Sequence, residues 1–453
     1  MHDIITKRDL TVPAGFDDFL PGEAIVLQRI TDVIRRHYEL AGYAPMITPL
    51  VERPDVLFAK TQGEVTQQAY GLRLLNPSPE ARDDSKDLAI RFDHTVPLTR
   101  AVVSNRHALF FPFRRYAIGP VMRGERPKDG RHREFIQADI DVIGDEELSL
   151  VHDAEMPAIV TGIFKELAFG DFTIRINNRK VLSGILAAYG FDTPNTSKQA
   201  LDIVDAMDKV GAQRTISALE RISSLSGSAA RELIELIRTD GSIDDLLRLL
   251  RVKSYGDDVN EGLDELEQVI NASCRLGVPS EILKFDPSLA RGLAYYTGTI
   301  YEARLDAYPD LGSIAGGGRY ENLAGSLSDH CFPGVGISIG VTRLVKRLIR
   351  REIVQAKVTT VAPVLVTLSE GTSDPTVAAP IAAKLRAAGI ATELYLENRP
   401  LRRQMQYADK RGFSVVVTTE NLARGLLRVR DFTTGEHIEI TADKLVETVR
   451  AML

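Results

Sequence analysis

Apolar and polar positions change period several times along this chain, and each change predicts an element. From Glu23 to Leu40 the apolar residues Ile25/Val26, Ile30, Val33/Ile34 and Tyr38 keep helical spacing. Gly42 closes that helix, and an extended run through Met46, Ile47 and Leu50 follows; Pro49 within it suits an edge strand or an interface. The segment Leu88 to Arg100, LAIRFDHTVPLTR, reads as a short strand, a turn and a helix with Pro97 near its start. Residues 146 to 190 alternate helix, strand and helix, with the strand at Phe172 to Ile176. From Thr193 to about Pro279 the chain is helical and highly charged, with Leu/Ile spacing as in Glu232 to Arg238 and a break at Asp240-Gly241. A new pattern opens at Val364: strand to Leu368, helix Thr376 to Ala388, strand Thr392 to Leu396, helix Leu401 to Arg411, strand Val415 to Thr419. That alternation predicts a compact α/β domain with a parallel or mixed sheet.

The stretch from Phe113 to Gly144, FRRYAIGPVMRGERPKDGRHREFIQADIDVIG, organises the rest. Alternating Tyr116, Ile118 and Val121 predict a strand that delivers Arg123 and Glu125 at its end. The turn formers Pro127 to Gly130 reverse the chain, Arg131 and Arg133 leave the turn, and a second alternating run completes a hairpin. Period two places Gln137, Asp139 and Asp141 on one face and Ile136, Ile140 and Val142 on the other. Arginines and carboxylates together can hold a phosphate beside an ammonium or imidazole group. A hairpin with solvated charges is the plain alternative. Asp93 and Thr95 stand where a strand gives out, a position that suits both ligand reading and helix capping. His94 between them suits a structural role. Leu289 to Glu302, LARGLAYYTGTIYE, brings Arg291 and Gly292 onto a strand holding Tyr295, Tyr296, Thr299, Ile300 and Tyr301.

Composition narrows the class. At 453 residues the chain allows two or three domains. A formal net charge of -6 gives no general nucleic-acid footprint, so any RNA contact must come from local basic surfaces. One such cluster is Arg399, Arg402 and Arg403, where a helix begins. Cys274 and Cys331 are the only cysteines, and the eight histidines show no metal-ligand spacing, so neither a disulfide framework nor a protein-ligated metal is expected. Gly334 to Gly340 has GxGxxxG spacing rather than that of a dinucleotide loop, and GxxxxGK[ST] is absent. No apolar run reaches membrane-spanning length and the N-terminus lacks a signal-peptide core, which points to a cytoplasmic protein without membrane contact.

The order RGERPxxGRxREFxQxDxDxxG resembles motif 2 of the class II aminoacyl-tRNA synthetases, in the form found in the histidyl-tRNA synthetase family. RGLxYYxxTxxE from Arg291 resembles a segment peculiar to that family and its regulatory paralogues. The helix from Glu23 and the Pro49 run are similar to motif 1, and AGGGRY with GVGISIGVTRL to motif 3. Two departures stand out: Ala294 replaces a usual acidic residue, and Thr342 replaces the usual glutamate before Arg343.

The resemblance implies a class II catalytic domain, an α/β fold with a mainly antiparallel sheet, at 1–190 and 280–350. It implies a helical insertion at 191–279, a linker at 351–362 and an anticodon-binding α/β domain at 363–453. It also implies a homodimer that joins L-histidine to tRNA(His), using ATP with Mg²⁺ as substrate complex. In that reading Arg123 bridges the amino-acid carboxylate and α-phosphate, and Arg291 reaches the phosphate from the other side, where other class II enzymes use a metal. Glu125 contacts adenine, Phe135 stacks under it and Arg343 over it; Arg131 lies near the outer phosphates. Asp93, Thr95 and Gln137 hold the α-ammonium, Asp141 and Tyr296 read the imidazole, and Tyr320 lines the pocket. Arg399, Arg402 and Arg403 contact tRNA. Two other readings are a non-catalytic regulatory paralogue of histidine biosynthesis and an adenylate-forming enzyme with a non-tRNA acceptor.

Overall fold

The computed structural model describes residues 10–58, 68–75, 88–126, 132–223, 225–291, 295–321, 324–325, 327–369 and 374–453. The predicted turn Pro127 to Gly130, and Arg131, Gly292 and Ala294, lie outside the described residues. The chain forms two compact units: Met1–Asp17 with Ile30–Arg347, and Asp18–Arg29 with Leu348–Leu453.

The strands of the first unit are β1 (Ala44–Pro45), β2 (Val51–Glu52), β3 (Ala89–Ile90), β4 (Phe113–Met122), β5 (Glu134–Ile143), β6 (Phe172–Asn178), β7 (Leu283–Phe285), β8 (Thr299–Leu305), β9 (Ala315–Tyr320) and β10 (Gly334–Gly340). Eight of them make one sheet in the order β1-β4-β5-β10-β9-β8-β6-β7, and β2 pairs with β3 apart from it. Within the large sheet only the outer pairs, β1 with β4 and β6 with β7, are parallel. The predicted hairpin is β4 and β5, ten residues each, with Arg115 opposite Asp141 and Gly119 opposite Gln137.

One face of this sheet carries the core. Ala138, Ile140 and Val142 are fully buried there, and the helix Val151–Leu167 packs on β9 and β10. Arg319 and Tyr301 point to that helix: Arg319 Nη1 donates to Asp153 Oδ1 at 2.8 Å and Tyr301 Oη to the Asp153 carbonyl at 2.8 Å. Alternation then turns Gln137, Asp139 and Asp141 to the opposite face, as their spacing predicted.

Six helices occupy Pro194 to Arg275, namely Pro194–Asp205, Met207–Val210, Ala212–Ile222, Gly227–Ile237, Ile243–Lys253 and Asp257–Arg275. Thr193, Ser226 and Ser242 cap three of them by accepting a backbone N–H. Asp240 and Gly241 fall between two helices. The second unit holds β11 (Val364–Val366), β12 (Thr392–Leu394), β13 (Val415–Thr418), β14 (Leu426–Asp431) and β15 (His437–Thr441), in the order β12-β11-β13-β14-β15. β11 is parallel to both neighbours and the remaining pairs are antiparallel, a mixed sheet over its own core of Val364, Val366, Ile381, Leu385, Val415 and Val417.

Two local expectations change. Met46 to Leu50 is not a strand; β1 and β2 flank it and join different sheets. Pro49 has no N–H to donate, and the carbonyl of Thr48 is instead satisfied by Arg91 Nη1 at 2.8 Å. Tyr295 and Tyr296 stand in the turn before β8 rather than on the strand, which begins at Thr299.

Candidate active site

The polar face of the sheet is a trough whose floor is set by register. Across it run Arg115, Asp141, Gly336, Gly318 and Ile300, then Ala117, Asp139, Ser338, Gly316, Glu302 and Arg175. The acids thus face glycine or serine on β10, which leaves open the space their side chains need. A Cβ on Gly336 would stand 2.3 Å from Asp141 Oδ1, and one on Gly316 2.5 Å from Arg291 Cζ. Glycine at both positions permits these approaches without displacing either side chain.

Asp93 enters from the turn between β3 and the helix Thr95–Asn105. The capping reading of this residue is met. Its Oδ1 accepts the Val96 N–H at 3.0 Å and so caps the helix, while its buried Oδ2 has no hydrogen-bond partner among the described residues. Thr95 is half-buried beside it. Burial pushes the Asp93 carboxyl up to about 6, against the Val96 amide and the charge of Arg123. Gln137 Nε2 donates to Ser338 Oγ at 3.0 Å, Ser338 Oγ donates to Asp139, and Gln137 Oε1 is buried without a partner.

Asp141 is 2 % exposed. Its Oδ1 accepts the Tyr320 hydroxyl at 3.0 Å, and its Oδ2 lies 2.7 Å from Arg115 Nη2 without an aligned hydrogen bond. Burial pushes this carboxyl too up to about 6, with Arg115 the chief opposing charge. Tyr296 packs edge-on against Tyr295, which in turn meets Tyr320. Burial raises the Tyr320 hydroxyl well above its ordinary range, so it donates as a neutral phenol.

Arg123 Nε donates to the Phe92 carbonyl at 3.0 Å and its guanidinium lies 5.4 Å from the Phe135 ring. Arg291 has a left-handed φ of 54° and Nη1 contacts at 3.4 Å to both Glu302 Oε2 and Ser313 Oγ. A non-glycine residue held so costs about 1–2 kcal/mol, a strain that clusters at functional positions. Arg343 stands in the first turn of the helix Val341–Arg350 and its Nη2 donates to the Leu311 carbonyl at 3.2 Å. Thr342 accepts the Ile136 N–H at 2.9 Å, tying that helix to β5. Glu125 is half-buried past the end of β4, its carbonyl accepting Arg133 Nε at 3.2 Å. In the second unit Arg399, Arg402 and Arg403 are exposed at the start of the helix Leu401–Arg411.

The structure therefore gathers Asp93, Gln137, Asp141 and Tyr320 with Arg123 into one trough. It also supplies Arg115, Asp139, Ser338 and Tyr295, none of which the sequence singled out as a site residue. The available signal was periodicity: Arg115 lies on the same alternation as Ala117, and a charge at an inward position demands a partner. Burial lifts two of these carboxylates, Asp93 and Asp141, to about 6 beside arginines, the kind of perturbation that marks a candidate site.

The histidyl-tRNA synthetase family model matches residues 15–344, and an anticodon-binding domain model matches 363–452. The histidine–tRNA ligase of Nostoc sp. strain PCC 7120 is 40% identical over 461 residues, 99% of each chain. That of Xylella fastidiosa strain M23 is 40% identical over 97% of each. The crystal structure of histidyl-tRNA synthetase from Nostoc sp. PCC 7120 superposes with a TM-score of 0.86 at 38% identity, covering 99% of this chain and 100% of that one. With sheet, motifs and full-length similarity in agreement, the chain belongs to the histidyl-tRNA synthetase family.

Proposed function

We propose that this chain activates L-histidine with ATP and transfers it to the 3′ end of tRNA(His). The histidine carboxylate attacks the α-phosphorus of ATP, the bond to the bridging oxygen of the β-phosphate breaks, and pyrophosphate leaves as histidyl-adenylate forms. A ribose hydroxyl at the tRNA 3′ end then attacks the carbonyl carbon and AMP departs. Such chemistry is governed by positioning and by charge set in advance around the phosphate.

The observation that carries this reading is the buried acceptor set. Asp93 Oδ2 and Gln137 Oε1 lack partners among the described residues, beside Asp141 and the Tyr320 hydroxyl. An α-ammonium satisfies the first two; an imidazole N–H satisfies Asp141, with Tyr296 at the other ring nitrogen and Thr95 beside the ammonium. Arg123 bridges the histidine carboxylate and the α-phosphate, and Arg291 meets that phosphate from across the trough. Phe135 and Arg343 enclose adenine, Glu125 contacts its edge, and Arg131 attends the outer phosphates of MgATP. Catalysis belongs to 1–190 and 280–350, with 191–279 as the insertion and 351–362 as the linker. The tRNA contact at 363–453 includes Arg399, Arg402 and Arg403. Cations at a helix N-terminus oppose the helix dipole, so these three do not serve the helix itself.

A second copy of the chain is the proposed partner. Leu40, Ile47 and Phe110 are 76%, 94% and 91% exposed, apolar surface that a dimer would cover. Sedimentation at micromolar concentration should give a dimer; a monomer contradicts it. The activity itself is tested by ATP–pyrophosphate exchange with each of the twenty amino acids. Exchange dependent on histidine is expected, and exchange with another amino acid, or none, overturns the proposal.

A further inference from the structure

Arg115 is the largest fully buried side chain of the first unit that carries a charge, and it sits directly opposite Asp141 in the β4–β5 register. Its Nη2 lies 2.7 Å from Asp141 Oδ2 and donates to the His94 carbonyl at 3.1 Å. That one nitrogen thus lies between a carboxylate and a carbonyl. Around it the trough holds three acids, Asp93, Asp139 and Asp141, and three arginines, Arg91, Arg115 and Arg123. Asp139 and Asp141 stand two residues apart on one face, both 2 % exposed, and the charge of Asp139 disfavours ionisation of Asp141. Arg115 is the leading counter-charge to each of them.

We propose that Arg115 is a positioning residue for histidine selection: clamped between Asp141 and the His94 carbonyl, it holds that carboxylate charged and aimed at the imidazole. The residue therefore sets the pH window in which histidine is accepted, although it touches no substrate atom. This rests on the proposed function, in which Asp141 reads the imidazole.

The other groups facing Asp141 do not replace it. Tyr320 from β9, Tyr295 and Tyr296 from the turn before β8, Tyr38 from the first helix and Tyr43 after it all have hydroxyls pushed upward by burial. They remain neutral donors. Asp93 and Asp139 add negative charge and so raise the demand for a cation. Arg91 is engaged with the carbonyls of Thr48 and Pro120, and Arg123 with that of Phe92. His94, beside Arg91 and Arg115, is driven down to about 3 by burial first and those charges second, so it supplies no positive charge.

The test is histidine-dependent pyrophosphate exchange against pH for wild type, Arg115→Met and Arg115→Lys, each with its KM for ATP. Loss of an opposite charge at this distance moves a carboxylate by about one to three pH units. In Arg115→Met the rise of kcat/KM for histidine with pH should shift upward by that amount. Its KM for histidine at pH 7 should rise by about two- to a hundredfold, the loss of ionised Asp141 that such a shift brings. KM for ATP and kcat should stay within about threefold. Substrate imidazole titrates identically in all three proteins, so it cancels from the comparison. Arg115→Lys keeps the charge and should return the profile to that of wild type, with KM only partly restored because the fork is lost. If Arg115→Met does not fold, Arg115→Lys decides alone: a wild-type profile supports the proposal, and a profile shifted as far as a neutral residue would shift it overturns it. A folded Arg115→Met with an unshifted profile also overturns it. Wild type without exchange would instead defeat the functional reading on which it rests.

Discussion

Asp93 and Asp141 are acceptors whose usefulness depends on charge, and burial brings both to about 6. The sign is fixed by that direction: these carboxylates are ionised above about 6 and lose charge as pH falls through it. Because kcat/KM reports groups of the free enzyme and free substrate, kcat/KM for histidine should fall below pH 6. Its logarithm should fall with a slope steeper than one, since the substrate imidazole and the carboxylates take up protons together. A slope of one would assign the whole effect to the substrate. In the proposed role of Arg291 at the α-phosphate, where charge develops late, Arg291→Ala should lower kcat about a hundred- to a thousandfold while changing KM little. Exchange rates at saturating histidine and ATP give that split. At this scale the sequence named residues through motif order, and its periodicity placed Gln137 and Asp141 correctly on one face. It missed Arg115 because a charge beside Arg114 and Tyr116 looks like strand surface until the opposing strand is known.

Elements were legible where one period runs unbroken. The helices at Pro21–Leu40 and Leu401–Arg411 and the β4–β5 hairpin lie where apolar spacing put them. The run at Met46 to Leu50 failed because Pro49 suits extended backbone without any ladder to join. β14 and β15 and the last helix, Leu445–Met452, went unread, although Asp431 to Gly435 carries the turn residues of a hairpin. Adjacent glycines of β9 offer a clean test of what the strand does. A Cβ at Gly317 would lie 2.0 Å from the Gly336 carbonyl oxygen, backbone that cannot step aside. Gly317→Ala should therefore cost about 3 kcal/mol or more of stability, read by thermal or denaturant unfolding. A Cβ at Gly316 meets only the movable end of Arg291. Gly316→Ala should leave unfolding nearly unchanged and lower kcat by as much as about a hundredfold through misplacement of that guanidinium. Equal effects of the two substitutions on stability would contradict this division.

Each unit of the whole molecule has its own sheet and core, and helices of the first unit alone fill Pro194 to Arg275. The apolar period that restarts at Val364 falls within the second unit. The sequence could not show that residues 18–29 cluster with the C-terminal part, since nothing in a helical period tells which neighbour covers it. On the proposed division of labour, activation and transfer are separable. Replacing Arg399, Arg402 and Arg403 together by glutamate, at exposed positions, should leave histidine-dependent exchange within about twofold of wild type. The KM for tRNA should rise roughly tenfold or more as phosphate contacts turn repulsive. An equal fall in both activities would place these arginines in the adenylate chemistry. The central claim is met most directly by incubating the intact chain with MgATP, labelled histidine and tRNA(His), and following acid-precipitable label. The account predicts stoichiometric charging that requires both ATP and an intact tRNA 3′ end; brisk pyrophosphate exchange with no label on the tRNA would contradict it.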